Sequence, residues 1–497
     1  MVDFNTIPSN LRIPGVYQEV DSTSAAGGAS LKKTLIVGQQ TSADITEGTP
    51  TQITSAGAAA DTFGSGSMIH RMAIGHFAND PFADTWVIPL DDAGGAADAA
   101  GTLTVTGPAT EAGTLYIYVG GSLVTVAVSN GDAQNTIAAA IEAAIDADLT
   151  LPVTAGSATN VVTVTAKNGG TRGNLIDVQL NFMGPEGGEE TPDGVGVAVV
   201  AMSGGATDPT MSTAIDAMGE DRYYSILWPY PDDTPLNTLG AELNDSTTGR
   251  WGPTRQLWGR AWCAFEAANQ SAVTTHTNGR NDQHVHIFGY TGIPTWEPEA
   301  AAAFGSACTR KLKLDPAAPI QYTPVYGVKA PPRLSRYTAT ERNILLFDGC
   351  ATFIVGASDV VQIERAVTTY QLDLAGNPDS SYLDAQTLAT LEAILDDVKT
   401  STQAAFPAYK LADDGFPVKP GQNVITPSIF KGFIVGRYRT WLANGWVENV
   451  DEFAKLLTVT RNADVNRLDM LLPPDLMNQF RLLASRLAFF LNYPASS

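Results

Sequence analysis

Apolar positions first come in short unbroken runs: KTLIVGQQ at 33–40 and DTWVIPL at 84–90 read as buried strands. Between them, SMIHRMAIGHFAND places Met68, Met72 and Ile74 or Phe77 at helical spacing. From 91 to about 205 the rhythm changes. GTLTVTG, GTLYIYVGGSLVTVAVS, NVVTVTAK and NLIDVQLNF alternate or run apolar at strand length, separated by glycine-containing turns. One Ala/Ile-rich helix, DAQNTIAAAIEAAIDAD, lies among them. This predicts a β-hairpin, a helix and two further strands, forming a compact β-rich α+β unit. After Gly205 strands and helices take turns: a helix DPTMSTAIDAMGE starting at Asp208, the strand RYYSILWPY, a helical 233–248, the strand HVHIFGY and the helix EPEAAAAFGSACTRKLKL. Such alternation predicts an α/β fold with an open, largely parallel sheet. With the two early strands in that sheet, 91–205 is an insertion.

The final third reads as two strands with turns over 351–384, a long helix AQTLATLEAILDDVKTSTQAAF, and a second helix TPSIFKGFIVGRYRTWLANG. The second starts behind Thr426 with Pro427 in its first turn and stops at Asn444-Gly445. The tail offers a strand, the Pro473-Pro474 break and an amphipathic segment. There Leu476, Phe480, Leu483 and Leu487 fit a helix, yet RLLASRLAFFL serves equally as an edge strand. At the other end, NLRIPGVYQEVDSTSAAGG supplies strand-forming Leu11, Ile13, Val16, Tyr17 and Val20 around Pro14-Gly15, then a linker-like Ser/Ala/Gly run. Strand-capable ends are aggregation hazards in a monomer. Donated to neighbouring copies, they become linkages by strand addition, and such heterologous contacts build rings or helical arrays.

Charge narrows the partners. The 497 residues carry a formal net charge of -22, which argues against a primary binder of nucleic acid or of anionic membrane. Segment 91–205 has two basic residues against thirteen acidic ones, as expected of a solvent-facing module, whereas 431–497 has eight basic and six acidic. Cys263, Cys308 and Cys350 fit neither a disulfide framework nor a metal knuckle and read as buried free thiols. Neither a secretion signal nor an apolar run of about 18 residues is evident.

Candidate chemistry is sparse. His284 and His286 form an HxH pair on one strand face, but no third ligand follows at a recognisable spacing, and His70 and His76 miss helical metal spacing. GSGSMIH and FGSAC do not follow strands as a nucleophile elbow requires. KNGGTRGN (167–174) lacks a P-loop ending and reads as a hairpin turn, with Arg172 and Asn174 bonding nearby backbone. Trp251, Trp258 and Trp262, interleaved with Arg250, Arg255 and Arg260, suggest one helix face in a core or subunit contact rather than a stacking platform. No enzyme activity, cofactor or metal is expected.

Four stretches carry a resemblance. LRIPGVYQEVD is similar to the N-terminal PGVY segment of tail sheath proteins from contractile-tailed bacteriophages. RAVTTYQLDLAGNPDSSYLDAQTLATLEAI (365–394) resembles the ITTY…SYLD stretch of the Mu-like branch, KNGGTRGNLIDV its G-x-x-GN turn, and VNRLDMLLPPDLMNQFRLLASRLAFFL its C-terminal arm. Relatives occur in phage-tail-like bacteriocins and type VI secretion sheaths. The resemblance implies a subtilisin-like α/β core without a catalytic triad, an inserted domain, and extended N- and C-terminal arms. It implies stacked hexameric rings around a tail tube, contracting on a baseplate signal, with tube, baseplate and tail terminator proteins as partners. It places the virion as the location.

Carried over, Leu11, Ile13, Pro14, Gly15, Val16, Tyr17 and Val20 form an intersubunit N-arm strand. Phe480, Leu482, Leu483, Leu487, Phe489, Phe490 and Leu491 form the C-arm, and Thr368, Thr369, Tyr370, Ser381, Tyr382, Leu383 and Asp384 a core motif that packs rather than reacts. The implied domains are 1–30 (arm and linker), 31–90 and 206–460 (core), 91–205 (insertion, outermost) and 461–497 (C-terminal strand and arm). Hinges are expected at 22–30 and at Pro473-Pro474. The less acidic C-terminal end is expected to face the tube through Arg467, Arg481 and Arg486. The sheath of a phage-tail-like bacteriocin, a catalytically inactive or cryptic hydrolase of subtilisin-like fold, and a surface-binding, adhesin-like protein are the competing readings.

Overall fold

The computed structural model describes residues 32–419, 421–489 and 491. It opens with β1 (Thr34–Gln39), β2 (Thr51–Ile53), α1 (Ala56–Phe63), α2 (Met68–Asn79) and β3 (Thr85–Leu90). Next come β4 (Ala100–Thr106), β5 (Gly113–Val119), β6 (Ser122–Val128), α3 (Gln134–Ala147), β7 (Val153–Ala158), β8 (Val161–Ala166), β9 (Val178–Leu180) and β10 (Gly196–Ser203). The chain continues through α4 (Met211–Met218), β11 (Ser225–Leu227), α5 (Asp233–Leu243), β12 (Arg260–Glu266), α6 (Gln270–Asn278), β13 (Val285–Tyr290) and α7 (Glu297–Leu314). α8 (Ala339–Phe347), β14 (Thr352–Val355), β15 (Val361–Arg365) and α9 (Ala385–Ala405) follow. The last elements are β16 (Lys410–Leu411), β17 (Val424–Ile425), α10 (Pro427–Ala443), α11 (Val450–Leu456), β18 (Thr458–Asn462) and β19 (Arg467–Leu471).

A six-stranded sheet in the order β13-β12-β11-β1-β3-β2 forms the centre, parallel except for the antiparallel β2. β1 and β13 are buried along their whole length, as unbroken apolar runs require when helices cover both faces. α7 crosses close to the sheet because Gly305 has no side chain: a Cβ there would lie 2.6 Å from both Leu227 and Trp262. On α2, Gly75 likewise admits the α7 backbone, since its Cβ would sit 2.6 Å from the Glu299 carbonyl.

Residues 91–205 give no strand to that sheet. They build a four-stranded sheet, β10-β4-β8-β7, and a three-stranded one, β6-β5-β9, both antiparallel. Of these seven strands the apolar pattern misses two: β7 (VTAGSA) is too poor in large apolar residues to register as a strand, and β10 runs along an exposed edge. The interior is nonetheless continuous: Leu103, Ile117 and Ile141 belong to the same buried cluster as Ile36 and Phe288. A second cluster, including Phe430, Ile434, Tyr438 and Trp441, surrounds α10. α9 joins the two, contributing Ala385 and Ala389 to the first and Ile394 to the second.

Local signals fix α10: the Thr426 side chain accepts from the Ile429 amide, Pro427 occupies the first turn, and Gly445 follows at φ +73°. Other expectations need correcting. α4 begins behind Thr210, and Asp208 instead accepts from the Thr171 amide at 2.7 Å. The tryptophan stretch is not helical, since Gly249, Gly252, Pro253 and Gly259 break it into turns and Trp262 falls on β12. KNGGTRGN is no hairpin turn but a short 3-10 turn joining β8 to β9, strands of different sheets. Residues 477–489 form neither helix nor strand. The N-arm strand and Phe490 lie outside the described residues.

Candidate functional site

Open α/β sheets hold ligands beyond the carboxyl ends of their strands, where the strand order reverses. Here that place is beside β1, between β3 and β11, and the glycine-rich loop 167–174 fills it. Gln39 donates to the Gly169 carbonyl at 2.6 Å and to Asp92 at 2.7 Å, and receives a bond from the Tyr230 hydroxyl at 2.9 Å. Asn168 donates to the Gln40 carbonyl at 3.0 Å and accepts from the Met68 amide at 2.9 Å. Gly170, at φ +118°, lets the backbone come so near Asp208 that a Cβ would lie 2.5 Å from its carboxylate.

Buried charges around this plug are paired. Arg172 reaches Glu297 at 2.5 Å and Asp232 at 2.8 Å rather than bonding nearby backbone, while Trp296 donates to its carbonyl at 2.8 Å. Arg71 and Glu299, each 4% exposed, meet at 2.5 Å, and Arg71 also donates to Ser122 at the start of β6. An ion pair desolvated this far contributes little net stability but is costly to break. The arrangement is a joint between 91–205 and the central sheet.

The histidines are held as neutral packing groups. His76 sits between Ser306 at 2.6 Å and Thr85 at 2.8 Å, and burial drops its pKa to about 3. His286 donates to the Val367 carbonyl at 3.0 Å, stacks on Trp262, and is likewise lowered to about 3 by burial. His284 bonds Asp245 at 2.7 Å and stacks on Trp251. Among the described residues no three His, Cys, Asp or Glu side chains gather as a metal set. All three cysteines are free and buried, and burial pushes the Cys350 thiol up to about 12.

The 368–384 motif folds on itself. Thr368 donates from its hydroxyl to the Tyr382 carbonyl at 2.8 Å, and its amide bonds the Leu383 carbonyl at 2.9 Å. Thr369 accepts from the Asp282 amide at 2.9 Å. The Tyr370 hydroxyl and the Ser381 hydroxyl both donate to Asp379, at 2.6 and 2.7 Å, and the Tyr370 and Tyr382 rings meet edge to face. Asp384 caps the start of α9 in sequence and takes both ends of the Arg365 guanidinium, at 2.9 and 3.0 Å.

The most exposed apolar run among the described residues is the C-terminal segment. Phe480 is 72% exposed, Leu482 89% and Leu487 88%, with Leu483, Phe489 and Leu491 in the same state. Among the described residues no backbone-to-backbone hydrogen bond involves 478–489. The hairpin β18–β19 is equally unfinished: Thr458 to Asn462 pair with Leu471 to Arg467, and neither edge meets a further strand among the described residues. Its first strand escaped the sequence reading, although Thr458-Val459-Thr460 before the turn at 463–466 is a β signal. Of the three arginines expected to face a tube, Arg467 is exposed beside Asp469 and Arg486 is exposed, but Arg481 is withdrawn into contacts with Asp384 at 3.0 Å and Gln386 at 3.2 Å.

Residues 204–369 match the family model of the phage tail sheath protein central domain, and 377–490 that of the phage tail sheath C-terminal domain. Over 494 residues, 99% of this chain and 100% of the relative, the sequence is 34% identical to the Mu-like prophage FluMu tail sheath protein of Haemophilus influenzae. Among solved structures, the crystal structure of a sheath tail protein from Desulfitobacterium hafniense is similar at 13% identity and a TM-score of 0.47, covering 94% of this chain and 97% of that one. The anti-feeding prophage helical sheath in its contracted state is similar at 13% identity and a TM-score of 0.46, covering 97% and 100%.

Proposed function

This chain belongs to the phage tail sheath family, in its Mu-like branch, and from that premise we propose how it assembles and moves. It is a structural protein of a contractile tail, not an enzyme, and is associated with the virion. Subunits stack as hexameric rings around a tail tube and contract on a baseplate signal, driving the tube through the host envelope. The core is a subtilisin-like α/β unit without catalytic residues, and 91–205 is an inserted domain on the outside of the cylinder. A terminator protein caps the stack.

One observation carries the reading. Among the described residues, the C-terminal segment bears six exposed apolar side chains and has no strand partner, and the two-stranded hairpin β18–β19 has open edges. Backbone groups in such a segment find partners by adding to another chain's sheet. The C-arm from Phe480 to Leu491 and the strand at Leu11 to Val20 are the donated pieces, and β18–β19 is the acceptor. Both arms therefore complete sheets in adjacent copies.

Deleting residues 1–28, or residues 482–497, tests this. Each shortened chain should keep its helix content by circular dichroism, while negative-stain microscopy in the presence of tubes shows no cylinders. Normal contractile cylinders from either deletion would overturn the reading.

A further inference from the structure

A hinge at Pro473-Pro474 is the expectation from sequence, because two prolines interrupt the tail. The structure ties that stretch down instead. Just past the prolines, the Glu448 amide bonds the Asp475 carbonyl at 2.9 Å, the Met477 amide bonds the Trp446 carbonyl at 3.0 Å, and Val447 bridges Leu476. Asn449 adds a side-chain bond to Asp475 at 2.6 Å. Residues 475–477 are thus a strut along the second core cluster.

Three further side-chain ties follow, each to a different part of the first core region. Gln479 donates to the Ala317 carbonyl at 3.2 Å, and Gln321 donates to the Phe480 carbonyl at 3.3 Å. The Arg481 guanidinium meets Asp384 Oδ1 at 3.0 Å, the same carboxylate oxygen that Arg365 Nε bonds at 2.9 Å. Its contact with Gln386 at 3.2 Å completes the clamp at the N-terminus of α9. Past Arg481 the ties cease: no hydrogen bond or ion pair is formed by 482–489 among the described residues.

We infer that the Arg365–Asp384–Arg481 clamp is the pivot of the C-terminal arm, fixing where and in which direction it leaves the subunit and confining its freedom to residues beyond 481. Asp384 thereby gains a task within the 368–384 motif: as a positioning residue, it couples the arm's root to α9. Residues 482–491 can swing to a neighbour while 475–481 move with the body. This rests on the assembly reading for its consequence, but not for its geometry.

Limited chymotryptic digestion of the soluble full-length chain maps the pivot without needing polymers. In the unmodified chain, cuts should appear first after Leu482, Leu483 and Leu487, while the bond after Phe480 resists. Arg481→Ala should expose the Phe480 site and speed its cleavage about tenfold, since cleavage tracks the open population. Arg481→Lys should restore most of the protection. Gln321→Ala, at a surface position, should raise the same cut more weakly and serves as a second variant. Phe480 cut as fast as Leu487 in the unmodified chain, or unchanged in Arg481→Ala, overturns the pivot. Sheath length on tubes separates the two ideas. No cylinders from an unmodified chain with the protected Phe480 site would sink the assembly reading and leave the pivot standing. Full-yield, normally contracting cylinders from Arg481→Ala would sink the pivot alone.

Discussion

Glu392 is a buried carboxylate whose loss should cost this fold several kcal/mol, about 3–5. It lies on α9 with its side chain 2% exposed, bonding Arg222 at 2.6 Å and also Arg260, which is fully buried. In Glu392→Ala, Arg260 loses its carboxylate partner and keeps its contact with Tyr224, 4.3 Å from the ring centre, while its Nε and Nη1 have no hydrogen-bond partner among the described residues. Stripping one member from a buried ion pair costs about 3–5 kcal/mol, because the remaining charge stays desolvated. Arg222 retains Asp396 at 2.6 Å, so its share is small and the expected loss is about 4 kcal/mol. Asp396→Ala is the control: Arg222 and Asp396 are each about one-fifth exposed, and Arg222 keeps Glu392, so about 1 kcal/mol should be lost. Urea unfolding followed by tryptophan fluorescence suits the measurement, since Trp258 is buried beside Arg222, 5.1 Å from its ring centre. A Glu392→Ala loss within about 1 kcal/mol of zero, or one equal to that of Asp396→Ala, would refute the reasoning.

Two further predictions concern pH and the tube. His70, His76 and His286 stay neutral in the fold, their pKa values lowered by burial to about 4, about 3 and about 3 from 6.5. The unfolded chain therefore takes protons first, and stability present above pH 6.5 is lost on acidification, at up to roughly 1.4 kcal/mol per pH unit for each histidine. Glu266 and Asp177, raised by burial to about 8 and about 6, act oppositely and lose stability as pH rises. Denaturation midpoints should thus fall between pH 6 and 5, and Glu266→Gln should steepen that fall; a flat profile in the variant contradicts the assignment. Replacing Arg467 and Arg486 by serine should weaken tube-templated assembly and reduce its salt dependence, with Arg481 left intact because it is clamped. Equal assembly at several salt concentrations removes the idea.

Much of the architecture was legible where the cause is local. α10 announces itself through Thr426-Pro427 at one end and Asn444-Gly445 at the other, and these residues cap it as read. β1, β3 and β13 show as unbroken apolar runs because both their faces are covered. The misses have non-local causes. Trp251, Trp258 and Trp262 are spaced like a helix face, but their burial comes from His284, Arg222 and His286, far away in sequence. The turn pattern points Arg172 to nearby backbone, yet its partner Glu297 is 125 residues on. The clamp at Arg481 closes on a residue 97 positions earlier, and no periodicity encodes such a pairing. For the C-terminal segment, helix and strand both fit the apolar spacing, and residues 477–489 adopt neither.

α9 shows where compliance must lie if such a subunit moves without a nucleotide. Glu392 and Asp396, four residues apart, share one face and bind the arginines of the central core. Asp397, turned about 100° further round the helix, bonds Arg437 at 2.5 Å and the Trp441 indole at 2.7 Å, both on α10. Each cluster therefore grips the same 21-residue rod through charged contacts that are costly to part. Shear between the clusters would break several of these at once, whereas moving the subunit as one piece breaks none. On the proposed assembly reading, the free energy of contraction comes from repacking between rigid copies, with the C-terminal segment past Arg481 as the joint. A contracted cylinder in which α9 had slid against α10, parting Asp397 from Arg437, would contradict this division of labour.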